Sequence, residues 1–217
     1  FSAVRSGIRY VHAAPVLRNV LVRTVAFFVF GSAGWALLPL VARRELGLGP
    51  AGYGVMLACI GLGAIAGAIL LPRLRQRLNA DRLMVAASLT FALTMLALAF
   101  VRHVWLLNLF EFFTGFAWIA VLSTLNLGAQ RSAARWVKAR ALAVYLTVFF
   151  GSMTAGSAVW GQIASQFGTP TSLVVATLGM VLASATAFRW KLEKDPNLNL
   201  DLSGQPLDGV EIELPNE

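Results

Sequence analysis

Residues 141–188 read ALAVYLTVFFGSMTAGSAVWGQIASQFGTPTSLVVATLGMVLASATAF, with no Asp, Glu, Lys or Arg anywhere in the stretch. A bilayer core about 30 Å thick takes roughly 20 consecutive apolar residues as a helix. The break at Gly168-Thr169-Pro170 divides the stretch, so it reads as two membrane spans, Ala141–Phe167 and Pro170–Phe188. Four more apolar runs precede it: Val20–Val41, Ala51–Leu71, Leu83–Val101 and Val104–Asn126. Pro50 and Pro170 stand at helix starts, where a missing N–H does no harm. Thr169 is placed to cap the last helix, and Pro72 with the arginines after it is expected to close the second span.

Composition agrees with the periodicity. Hydrophobic residues make up 58% of the chain and charged residues 13%, against about 45–50% and 25% in soluble domains. The fold class is therefore an all-α membrane protein with six transmembrane helices. The bundle is expected over residues 20–188, after an interfacial amphipathic segment over 1–19 and before an acidic tail over 189–217. Phe1, Val4, Ile8 and Val11 recur at helical spacing in the first segment, opposite Arg5, Arg9 and His12. The tail alternates around Leu198, Leu200, Leu202, Val210, Ile212 and Leu214; either a hairpin or a disordered cytosolic extension fits it. The chain starts at Phe1 rather than Met, and we expect a fragment of a longer protein.

The net charge of +8 does not point to nucleic acid, because the basic residues form short clusters between apolar runs. Of the 18 Lys and Arg, 15 fall in one alternate set of connections and three (Arg43, Arg44 and Arg102) in the other. The positive-inside rule then puts both termini in the cytoplasm, which requires an even number of spans. The single Cys59 lies in an apolar run, so no disulfide framework or thiolate metal site is expected. His12 and His103 lie outside the spans, and no phosphate-binding glycine loop is present. No enzyme activity, metal or cofactor is expected.

Glu111 is the only carboxylate inside an expected span. Placing a charged acid near mid-bilayer costs about 2.5–3.5 kcal/mol on an insertion scale, so a lone one should face a cavity or a partner. Asn108, Glu111, Gly115, Trp118 and Leu122 share one helix face, a stripe suited to a wet, substrate-facing wall. Desolvation favours the neutral form of a carboxyl, which suits it to picking up and releasing a proton. Solvation at the outer interface and structural pairing are the alternatives. Arg23, near the cytoplasmic end of the first span, either snorkels to the interface or turns inward and makes the mouth of a cavity basic. Trp35 lies further along that helix. Gly63 and Gly67 in the second span, and Gly156 and Gly161 in the fifth, let helix backbones approach closely in lipid.

Several stretches together resemble a known family: Val20-Leu21-Val22-Arg23 leading to Gly31-Ser32-Ala33 and Ala36-Leu37-Leu38-Pro39-Leu40; Gly52-Tyr53-Gly54 through Gly61-Leu62-Gly63-Ala64; Trp136-Val137-Lys138-Ala139-Arg140-Ala141; and Gly156-Ser157-Ala158-Val159-Trp160-Gly161. In their order and spacing the chain resembles the C-terminal half of a major facilitator superfamily transporter, nearest to the enterobactin-exporter-like, transmembrane secretion effector group. The resemblance implies that the spans are helices 7 to 12 of twelve, built as two inverted three-helix repeats. It implies proton-coupled export of a small amphipathic molecule such as a siderophore or drug, by alternating access, at the inner (cytoplasmic) membrane. The partners implied are membrane lipid, an N-terminal six-helix half, the substrate and protons, with no nucleic acid. Helices 7 and 10 would line the cavity, which places Arg23, Trp35, Asn108, Glu111 and Trp118 near it. The basic connection after Pro72 lacks the family's Asp-Arg-x-Gly pattern, so position and not mechanism carries over. A non-transporting six-helix scaffold or accessory subunit is the alternative reading.

Overall fold

A computed structural model describes residues 15–132, 138–185, 190 and 192. Among them are six helices: α1 (Pro15–Leu40), which continues as a π-helical turn over Val41–Glu45, α2 (Pro50–Arg77), α3 (Ala80–Phe100), α4 (Val104–Arg131), α5 (Lys138–Phe167) and α6 (Thr169–Ser184). Five are long and apolar enough to cross a membrane; α6, with 16 residues, is shorter.

The packing has an internal symmetry. α2 lies mainly on α4, and α1 mainly on α5; α3 lies on α4 and α6, and α6 also on α1. Exchanging α1–α3 for α4–α6 leaves this pattern of neighbours unchanged. The connections are short, so successive helices reverse direction and α1 runs opposite to α4. The bundle is thus two inverted three-helix repeats.

The close approaches obey the same exchange. A Cβ on Gly63 of α2 would collide with the Phe112 carbonyl of α4, and one on Gly115 with the Ile60 carbonyl of α2. In the other repeat pair, a Cβ on Gly156 of α5 would collide with Ser32 and the Val29 carbonyl of α1. Glycine there lets backbones meet where any side chain would hold them apart. Trp160 of α5 adds a hydrogen bond from its indole N–H to the same Val29 carbonyl at 2.6 Å. Gly67 is covered by Phe116 and Ile119. Gly161 differs from the expectation: it is exposed, nothing lies within 4 Å of a Cβ there, and it takes no part in packing this bundle.

The outer surface of the bundle is as apolar as its core. Ile69, Phe100, Phe167 and Leu182 are all exposed, while thirteen polar or charged residues among those described are buried, including Arg23, Thr24, Ser32, Asn108 and Glu111. α2 buries a single stripe, Met56, Ile60, Gly63, Gly67 and Leu71; the rest of its surface, with Leu62 and Ile65, faces outward. Water is the wrong solvent for such a surface, and lipid suits it.

Four boundaries differ from the sequence expectation. The amphipathic segment expected over 1–19 lies outside the described residues up to residue 14, and Pro15–Asn19 form the start of α1. Pro72 does not close α2, which runs on to Arg77. Continuing the helix keeps Leu71 buried and packs Leu74 and Leu78 on the core, which offsets the one hydrogen bond a proline removes. Thr169 is not a cap: Gly168, with φ of 88°, occupies the cap position and no side-chain cap bond forms. α6 ends at Ser184 rather than at Phe188, which is not among the described residues. The tail expected as a hairpin or disordered extension also lies outside the described residues, apart from Trp190 and Leu192.

Candidate functional site

Glu111 lies in the second turn of α4, about 10 Å along the axis from the helix start at 1.5 Å per residue. It is 2% exposed. α1, α2, α3 and α4 surround a cleft there, lined by Trp35, Leu38, Ile60, Phe91, Met95 and Glu111 among others. The cleft is narrow, with room for about one water molecule. Thr114, one turn on, lines the same cleft. No basic side chain among the described residues pairs with it: the two ion pairs are Arg23–Asp81 and Arg102–Glu45.

The stripe on α4 is more closed than a wet wall. Asn108, Glu111 and Gly115 are buried; Trp118 and Leu122 are half-buried. The cause is direct: α2 sits with its Ile60 carbonyl against Gly115, and Phe91 and Leu98 of α3 line the cleft that the acid lines. The acid therefore faces the interior of its own bundle. Three buried polar atoms have no hydrogen-bond partner among the described residues: Trp35 Nε1, Asn108 Oδ1 and Tyr145 Oη. Asn108 is one turn from Glu111, and Trp35 lines the same cleft as the acid.

Trp118 joins the acid's surroundings to the rest of the bundle. Its ring meets Trp35 edge-on at 5.2 Å between centroids and Phe28 at 5.3 Å. Phe91 of α3 and Phe149 of α5 complete the cluster. Edge-to-face aromatic pairs add about 0.5–1.5 kcal/mol each beyond area burial, so this cluster holds four helices in register. Trp35 and Trp118 are both half-buried.

Arg23 stands apart from these residues. It is twelve residues before Trp35 on α1, about 18 Å along the axis. It neither snorkels nor stands as a free charge at a cavity mouth. It is 2% exposed, and its Nη1 donates to Asp81 Oδ1 at 3.2 Å. Asp81, in the first turn of α3, also accepts the backbone N–H of Leu192 at 3.0 and 3.2 Å through its two oxygens. Arg18 lies 5.1 Å from the centre of the Trp190 ring. One carboxylate thus ties α1, α3 and the segment after α6. Sequence reading passed over Asp81 because its partner is 58 residues away; the available signal was an acid at a helix start, among arginines, facing a span that carries a lone arginine.

Residues 1–215 match the family described as transmembrane secretion effector. No curated protein and no solved structure matches the chain.

Proposed function

The chain belongs to the transmembrane secretion effector family, a transporter family of the major facilitator type, and we propose that it forms the helix 7–12 half of a twelve-helix, proton-coupled exporter. The substrate is a small amphipathic molecule of the siderophore or drug class, moved by alternating access against a second six-helix half. Both ends of the chain lie on the cytoplasmic side of the inner membrane, a reading supported by the 15 of 18 Lys and Arg on one set of connections.

The observation that carries the coupling is Glu111: an acid 2% exposed, inside a span, with no counter-charge among the described residues. A buried carboxylate without a cation is costly, and binding a proton removes that cost. Half-buried Trp35 lines the acid's cleft, and half-buried Trp118 packs on Trp35. We therefore place the proton site one layer behind the aromatic wall that meets the substrate. The two sites adjoin rather than coincide.

The test is transport by the full-length protein in proteoliposomes. Substrate should accumulate against its gradient only while a proton gradient is present, and Glu111→Gln should insert normally yet lose that dependence. Accumulation that survives collapse of the proton gradient, or an unchanged pH response in Glu111→Gln, contradicts the proposal.

A further inference from the structure

We propose that Trp35 is the positioning residue that senses the charge on Glu111 and passes it to the aromatic wall. The inference rests on the reading of Glu111 as the proton carrier. An indole N–H can only donate. That of Trp35 is buried and has no acceptor among the described residues, an arrangement that is costly and therefore uncommon. Its side chain lines the same narrow cleft as Glu111. Thr94 and Thr114, which also line it, donate their protons to the Phe91 carbonyl at 2.9 Å and the Phe110 carbonyl at 3.2 Å, so their oxygens offer an N–H only a neutral acceptor. The Glu111 carboxylate is then the one charged acceptor the cleft offers.

A charge-assisted bond is about twice as strong as a neutral one. With Glu111 ionised, the Trp35 N–H turns to the carboxylate, directly or through the single water the cleft can hold. With Glu111 protonated, only a neutral acceptor remains, and the indole is released from the carboxyl. The edge of Trp35 is packed on Trp118, and Trp118 on Phe149 of α5. Rotation of the first indole displaces the second, and so reaches the half-buried surface where substrate is proposed to sit. Titratable groups on the helices packed against α4 do not compete. Arg23 and Asp81 pair with each other toward the other end. Neither these, nor Tyr53 and Cys59 of α2, nor Tyr145 of α5, nor the basic residues of these helices line the cleft.

The experiment uses full-length protein labelled with 5-fluorotryptophan. The fluorine resonance missing in Trp35→Phe identifies Trp35. In the wild type that resonance should shift with pH along a single titration curve, and in Glu111→Gln it should stay flat. Trp35→Phe keeps the ring and loses the N–H. Its proton-driven accumulation should fall about tenfold, within the usual 5–150-fold range of coupling between sites. A Trp35 resonance that ignores pH in the wild type, or that titrates equally in Glu111→Gln, overturns the inference. So does a Trp35→Phe protein with undiminished coupling. If Glu111→Gln itself keeps proton-driven transport, the assignment of the acid fails, and this inference fails with it; if only the Trp35 results fail, that assignment stands.

Discussion

Arg23 and Glu111 are both 2% exposed, yet the bundle treats them in opposite ways. Toward one end Arg23 is neutralised by Asp81 at 3.2 Å, and Asp81 has a second donor in the Leu192 backbone. Toward the other, Glu111 is covered by apolar side chains and has no counter-charge among the described residues. Both pose the same desolvation problem. For Arg23 a fixed partner solves it, and such a pair holds helices together. For Glu111 a removable proton can solve it, and that leaves a group whose charge changes during a cycle. The first is a charge fixed in the fold, and the second is the one proposed above to carry the proton.

The comparison breaks most visibly if Asp81 is removed. Asp81→Ala leaves a buried guanidinium unpaired, a change that typically costs about 3–5 kcal/mol, and unfolding in detergent should show a loss of that order. Replacing both partners together, Arg23→Met with Asp81→Leu, should recover most of it, since apolar substitutes for buried pairs are often neutral or better. What remains lost reports the bond to Leu192. Gly115→Ala, beside the acid, forces a Cβ onto the Ile60 carbonyl. It should cost on the order of 1–3 kcal/mol, as overpacking does, by the same unfolding measurement. Glu111→Gln should change stability by less than about 1 kcal/mol, because no partner is stranded; a loss as large as that of Asp81→Ala would make the acid structural. The exposed pair Arg102–Glu45, at 3.1 Å, supplies the reference. Glu45→Ala should cost less than about 1 kcal/mol, and added salt should shrink the effect further.

Much of this fold was legible in the sequence for one reason: hydropathy and the spacing of arginines are local signals. The α2, α3, α4 and α5 spans start within three residues of where the apolar runs place them. Most of the failures involve non-local contacts. Pro72 looks like a terminator until Leu71, Leu74 and Leu78 are seen packed on the core. Thr169 looks like a cap until the positive φ of Gly168 is known. Gly161 resembles Gly156 in sequence, but only Gly156 meets α1. The candidate site divides in the same way. Glu111 stood out as a lone acid in an apolar run, whereas Asp81, the cleft wall on α3 and the unpartnered Trp35 N–H depend on which helices lie together. The expected open stripe on α4 closed for that reason as well.

Infrared difference spectroscopy of the full-length protein tests most directly whether Glu111 binds and releases a proton in place. Raising the pH should remove a protonated-carboxyl band and leave a carboxylate in the wild type, with one such band absent from Glu111→Gln. Difference spectra identical for the two proteins would contradict the account.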